Sequence, residues 1–362
     1  MKKILIIDNS IAIRNIIRNL FTDNQRILIY EANSKEETEK LIKENKFFII
    51  ISNLFLNDSS DLEILNLFEK ENIPTIIFSS VLETELLNKY SNIIDYVIKD
   101  SNGFKYIYKI VSAMIFCCNE NVLLVEDSKT VSNKIKEILE KFLLKVTIAE
   151  EGIQALEILN KDEKFSLIIS DYEMPNLDGL ELTRKIRSLK NYKNVPVIII
   201  TKINENELKT KFYKYGANDI ILKPILKEEL ISKVINIFLN LKQIEDIKTF
   251  NNLIDKNIIT SSTNIKGEIV SVSEAFCEIS GYTKDELLGK NHNILKHPDM
   301  TNSIYKELWE TISIGKIWRG EIKNLKKDGS YYWVNAIIEP SFSKEGKIIG
   351  YSAIRYDITD RK

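Results

Sequence analysis

Through roughly the first 240 residues, short branched apolar runs alternate with stretches that are apolar at every third or fourth position. In the second half of this region the runs are VLLV (122–125), KVTIA (145–149), FSLIIS (165–170), PVIII (196–200) and DIILK (219–223). Stretches such as SKTVSNKIKEILEKF (128–142) and ENELKTKFYKYG (205–216) separate them with helical spacing. Uninterrupted branched runs between amphipathic helices predict parallel strands covered on both faces. Such units in succession predict a doubly wound α/β sheet, whose working groups collect at the carboxyl ends of its strands.

The region repeats itself. KILIIDNSIAIRNIIRNLF (3–21) aligns with NVLLVEDSKTVSNKIKEIL (121–139), and the same spacing sets Asn53 of SNLFLNDSSD (52–61) on Asp171 of SDYEMPNLDG (170–179). Ser79 falls on Thr201 and Lys99 on Lys223 with slightly larger offsets, as two copies of one domain with insertions in loops would give. The expected domains are 1–118 and 119–243. From about residue 257 the pattern changes to strict alternation with glycine turns, in GEIVSVS, WRGEIKNLKK, YYWVNAIIEPSF and IIGYSAIRYDIT. That texture predicts antiparallel strands. Short helices are expected at 274–280 and 302–313. Residues 244–362 thus form a third, α+β domain, entered through a helix over roughly 226–250.

Composition narrows the classes. The formal charge is −1, with no basic cluster of the kind a nucleic-acid surface needs. No apolar run approaches the roughly 20 residues of a membrane span. An acid at residue 8 interrupts any signal-peptide core. Cys117, Cys118 and Cys277 have neither metal-ligand spacing nor a disulfide framework, which suits a reduced cytosol. A soluble cytoplasmic protein is expected, with neither nucleic acid nor membrane as partner.

In the second copy, Glu126 and Asp127 follow the first strand, Asp171 the third, Thr201 the fourth and Lys223 the fifth. Like charges about 4 Å apart repel by about 4 kcal/mol at an effective dielectric of 20. Three carboxylates beside one ammonium therefore either raise a pKa or recruit a hard divalent cation such as Mg²⁺. Asp171 can then attack phosphorus to form an acyl phosphate.

These residues, with MP (174–175), DG (178–179) and KP (223–224), make residues 119–241 resemble a response-regulator receiver domain. The resemblance implies a flavodoxin-like fold and phosphorylation of Asp171 by a histidine kinase or phosphotransfer protein. It also implies Mg²⁺ on Glu126, Asp127 and Asp171, catalytic roles for Thr201 and Lys223, and a cis Lys223–Pro224 bond. Ile220 stands where these domains often carry an aromatic residue. Residues 1–118 resemble the same family with its chemistry removed. Asp8, Ser79 and Lys99 are kept, but Asn9 and Asn53 replace acids. One carboxylate against one ammonium attracts little divalent ion, and an amide cannot form an acyl phosphate. Asn53 can instead hydrogen-bond Lys99 or Ser79. Tyr96 occupies the aromatic position that the second copy lacks. A pseudo-receiver used for interaction or dimerisation is expected.

Both histidines of the chain lie in NHNILKHPDM (291–300), and every Trp falls within 309–333. Such a cluster either fills a small core or faces a planar ligand. Residues 257–360 resemble a PAS domain, closing in DIT (357–359). HPDM, LWETI, GKIWRGEIKN, KKDGSYYWV and IIGYSAIR resemble the PAS domain of bacterial aerotaxis receptors. That resemblance implies FAD, redox or oxygen sensing, and His292, His297, Asp299, Trp318 and Asn324 as pocket residues. Lys296 stands where the family usually has Arg, and Ser273 where PAS helices often begin with Asn. An empty PAS dimerisation module remains the alternative. The expectation is a two-component signalling protein, with a histidine kinase or phosphotransfer protein, a chemotaxis or other signalling component, and a second copy of itself as partners. The regulatory part of a longer diguanylate cyclase or histidine kinase, and a scaffold without flavin, are the competing readings.

Overall fold

The computed structural model describes residues 1–22, 26–58, 63–81, 89–161, 164–204 and 206–362. The end of the 52–61 segment and Glu205, the expected start of one helix, lie outside them. The chain divides into two compact units, Met1–Lys242 and Gln243–Lys362.

The first unit holds two parallel sheets. One contains β1 (Lys2–Ile7), β2 (Ile27–Ala32), β3 (Ile49–Ser52), β4 (Thr75–Ser79) and β5 (Ile93–Ile98), in the order β2-β1-β3-β4-β5. The other contains β6 (Asn121–Val125), β7 (Lys145–Ala149), β8 (Leu167–Asp171), β9 (Val197–Thr201) and β10 (Asp219–Leu222). Its order, β7-β6-β8-β9-β10, repeats the first. This is the flavodoxin-like winding, with its switch point between the first and third strands of each sheet. The branched runs are buried throughout: every residue of β3, β4, β8 and β9 is closed to solvent.

The two halves are not independent bodies. One buried apolar cluster runs from Ile4, Ile6 and Ile17 through Ile110 and Met114 to Val234 and Phe238. Two helices meet within it, Ser101–Cys117 and the amino-terminal part of Lys227–Asn257, and the rings of Phe116 and Phe238 lie 6.5 Å apart. The expected division at 118/119 therefore separates two sheets that share a core. The helix Lys227–Asn257 also outlasts its expected end at 250 by one to two turns, since no Gly or Pro follows to stop it. Among the described residues no helix is long and apolar enough to cross a membrane.

The second unit is an antiparallel sheet of β11 (Ile259–Asn264), β12 (Ile269–Val272), β13 (Trp318–Leu325), β14 (Tyr331–Phe342) and β15 (Ile348–Asp357). Their order is β12-β11-β15-β14-β13. Helices Glu274–Ser280 and Asn302–Ser313 occur where the sequence predicts them. Ser273 does the work of the Asn usual there: its hydroxyl accepts from Phe276 N at 3.1 Å and Thr260 N at 2.9 Å. It thereby caps the helix and ties it to β11.

Candidate functional site

Strand register assembles the acidic site. Asp171 pairs with Ile200 and Leu222 with Thr201, so the ends of β8, β9 and β10 lie side by side. Val125 pairs with Ser170, which brings Glu126 and Asp127 to the same edge. Ligand oxygens of Glu126, Asp127 and Asp171 all lie within 4.8 Å of one another. Lys223 Nζ donates to Asp171 Oδ2 at 2.7 Å and to Glu126 Oε2 at 3.2 Å. Asp171 is 2% exposed, and its Oδ1 is buried without a hydrogen-bond partner.

Burial, and then the charge of Asp171, raise the Glu126 carboxyl above its usual range. Burial works to lower the Lys223 ammonium, but its bonds to Asp171 and Glu126 outweigh that and leave it raised. Thr201 is fully buried, its Oγ1 accepting from Ile203 N at 3.1 Å. The Lys223–Pro224 bond is cis. Asp178 caps the helix Gly179–Ser188, accepting from Glu181 N at 2.8 Å. Gly179 is needed for close approach, because a Cβ there would stand 2.3 Å from the Asp171 carbonyl oxygen. Ile220 lies in the buried cluster that also holds Phe212, whose ring meets Tyr172 edge-on at 5.0 Å. All five residues read from the strand ends are thus brought to one edge.

At the matching edge of the first sheet, Lys99 Nζ pairs with Asp8 Oδ2 at 2.5 Å. Asn53 Nδ2 donates to the Phe55 carbonyl at 2.7 Å, and Asn9 Nδ2 donates to the same oxygen at 3.0 Å. This corrects the expectation that Asn53 bonds Lys99 or Ser79: Lys99 is taken up by Asp8, and a nearby backbone carbonyl satisfies the amide. Ser79 Oγ accepts from Val81 N at 3.4 Å, and the Tyr96 hydroxyl donates to the Val81 carbonyl.

In the antiparallel unit a cavity opens between the sheet and its helices. Its wall includes Ser261, His292, Lys296, Trp309, Asn324 and Arg355. Two of the five expected pocket residues, His292 and Asn324, are on it. The other three, His297, Asp299 and Trp318, are not among the lining residues, which corrects their expected placement. The ring of His297 turns edge-on to Tyr331, and its Nδ1 accepts from Asp299 N at 3.2 Å. Asp299 points to solvent and pairs with Lys323 at 2.7 Å. Trp318 packs over Gly320, leaving no room for a Cβ there.

Burial, then the charge of Arg355, pushes His292 down to about 3. Its folded value lies below the unfolded one, so protons favour the unfolded chain. Stability is full above the ordinary value of 6.5 and falls as pH drops towards 3. All three Trp lie in this unit, so tryptophan fluorescence reports its unfolding within the intact chain. Urea titrations so followed are expected to lose about 2 kcal/mol between pH 7 and pH 5. His292→Gln, which keeps an acceptor for Arg355 without titrating, is expected to remove most of that loss.

Sequence reasoning missed Arg355 and Ser261. In SAIRYD, Ile354 and Tyr356 look like the inward residues, yet they are 45% and 58% exposed while Arg355 is 4% exposed. The usable signal was the alternate set Tyr351, Ala353 and Arg355, which shares the buried face.

Fold and site together define a flavodoxin-like domain with a clustered acidic edge and a separate antiparallel domain with a cavity. Residues 122–235 match the response regulator receiver domain and residues 269–355 the PAS fold. The chain belongs to the response regulator receiver family. It is 36% identical over 114 residues to a chemotaxis protein CheY homolog of Campylobacter jejuni, covering 30% of this chain and 88% of that protein. Over 110 residues it is 39% identical to the aerotaxis receptor of Escherichia coli K12, covering 30% of this chain and only 22% of the receptor. A crystal structure of a two-component system response regulator/GGDEF domain protein superposes with a TM-score of 0.62 at 25% identity, over 67% of this chain and all of that one.

Proposed function

We propose that this chain is a response regulator whose residues 119–243 accept a phosphoryl group on Asp171 from a histidine kinase or phosphotransfer protein. The observation that carries this is the divided state of the Asp171 carboxylate: Oδ2 is held by Lys223, while Oδ1 is buried with no partner. A buried oxygen without a hydrogen bond is costly unless another group meets it. An all-oxygen donor set from Glu126, Asp127 and Asp171 fits Mg²⁺, which when bound offsets charge on the transferring oxygens. Asp171 attacks phosphorus as the donor's phosphorus–nitrogen bond breaks. Lys223 steadies the charge that develops, and Thr201 turns its hydroxyl to the new phosphoryl group.

Residues 1–118 serve as a pseudo-receiver: the amides of Asn9 and Asn53 close onto the Phe55 carbonyl, and Asp8 and Lys99 cancel. The PAS domain binds FAD and senses redox or oxygen state in the cytoplasm, and the protein pairs with itself through PAS or receiver surfaces. The cavity supports a flavin by its donors at Asn324 and Arg355 and by the buried, unpartnered hydroxyl of Tyr305 on its wall. The test is incubation with acetyl phosphate or beryllofluoride and Mg²⁺, with Asp171→Asn as control. No phosphorylation and no spectral or thermal response would leave an interaction scaffold. Protein purified with added FAD is expected to carry flavin absorbance, lost or much reduced in Asn324→Ala. A colourless product would remove the flavin. The superposition with a response regulator/GGDEF domain protein favours a second reading, in which these residues regulate an enzymatic domain of a longer protein. The adjoining reading frame tests it.

A further inference from the structure

Arg355 is a buried cation with no carboxylate. Its Nη1 donates to Ser261 Oγ at 2.8 Å, and its Nη2 lies 3.0 Å from His292 Nε2. The guanidinium stands 5.4 Å from the centre of the Phe276 ring. Among the described residues no Asp or Glu forms a salt bridge with it. Burial, opposed in part by Tyr332, draws it down to about 10, so it stays charged at neutral pH.

His292 cannot compensate, because it is neutral. With its Nε2 accepting from Arg355, its proton resides on Nδ1. The cavity wall carries a second cation, Lys296, and no acid among its described residues. A buried charge is strongly unfavourable unless it is paired. Tyr305, Trp309 and Tyr351 supply aromatic surface on the same wall.

We propose that this end of the PAS cavity is an anion receptor, in which Arg355 takes the negatively charged edge of a planar aromatic ligand. The inference deepens the reading of the cavity as a ligand site and does not require that the ligand be a flavin. An aromatic carboxylate meets the requirement directly. A flavin meets it when two electrons from a reductant such as dithionite and one proton convert the neutral ring to its reduced monoanion.

Benzoate and benzamide are nearly the same shape and differ in charge, and the intact chain can be titrated with each by calorimetry. Benzoate is expected to bind at least roughly tenfold more tightly, as a charge-assisted hydrogen bond gives. Arg355→Met should remove that preference, weakening benzoate far more than benzamide. Arg355→Lys, which keeps the charge and guards against misfolding of the Met variant, should retain part of it. Equal binding of the two probes by the wild type, or a preference that survives in Arg355→Met, overturns the proposal. A second arm measures the potential of added FAD by dye equilibration. If FAD binds, the reduced form should be held at least roughly tenfold more tightly than the oxidised, a positive shift of about 30 mV that Arg355→Met abolishes. An unshifted potential overturns the proposal for flavin. If FAD does not bind, the flavin reading fails and the benzoate result alone decides.

Discussion

Replacing Asp171 by Asn is expected to reduce acetyl phosphate-dependent phosphorylation to background, as read by mass spectrometry or phosphate-affinity electrophoresis. The change is nearly isosteric and leaves Lys223 its bond to Glu126, so the fold is expected to survive with little loss. What disappears is the nucleophile, since an amide oxygen has no negative charge to give to phosphorus. One of the three clustered carboxylates also becomes neutral, so on the proposed reading any stabilisation by millimolar Mg²⁺ in thermal unfolding should fall sharply. The first sheet displays the outcome of such a change. With Asn at 53, the amide settles onto the Phe55 carbonyl and the lysine keeps a single acid, Asp8. If the Asp171→Asn variant still took up phosphate at the wild-type rate, the phosphoacceptor would have to be another residue.

Gly179→Ala is expected to destabilise the receiver by roughly 2–4 kcal/mol, because the added methyl meets backbone rather than a side chain that could swing away. It would fall 2.3 Å from the Asp171 carbonyl oxygen and 3.0 Å from Tyr172 Cα. The Gly179 amide also donates to the Tyr172 carbonyl at 3.0 Å, which fastens the start of the helix Gly179–Ser188 to the residue after Asp171. Relief therefore requires moving either the helix or Asp171 itself. Urea unfolding followed by circular dichroism should show the loss of stability, and phosphorylation of the folded fraction should be slower. A variant with wild-type stability and rate would mean that the loop yields more easily than its contacts suggest.

The acidic edge could be read from the chain because it depends on coarse features. Buried parallel strands appear as branched runs, and the residue after each run must lie at the carboxyl edge. Glu126, Asp127, Asp171, Thr201 and Lys223 needed nothing finer. The PAS cavity depended on which way single side chains turn. His297 and Asp299 sit in the most recognisable motif of that domain, yet the His297 ring meets Tyr331 and the Asp299 backbone while Asp299 pairs with Lys323, so neither faces inward. Arg355 was hidden for the opposite reason: its strand buries a guanidinium and exposes an isoleucine, against the hydrophobic pattern. The shared core of the first unit was also invisible, since both of its helices look like ordinary amphipathic cover for their own sheets.

That shared core bears on how the molecule can be taken apart. Cutting between residues 118 and 119 would strip Ile110, Met114 and Phe116 from Val234 and Phe238, baring an oily flank on each fragment. Either piece expressed alone should clump or seek a substitute mate, so any association it displays in a test tube reports the wound rather than the native habit of the protein.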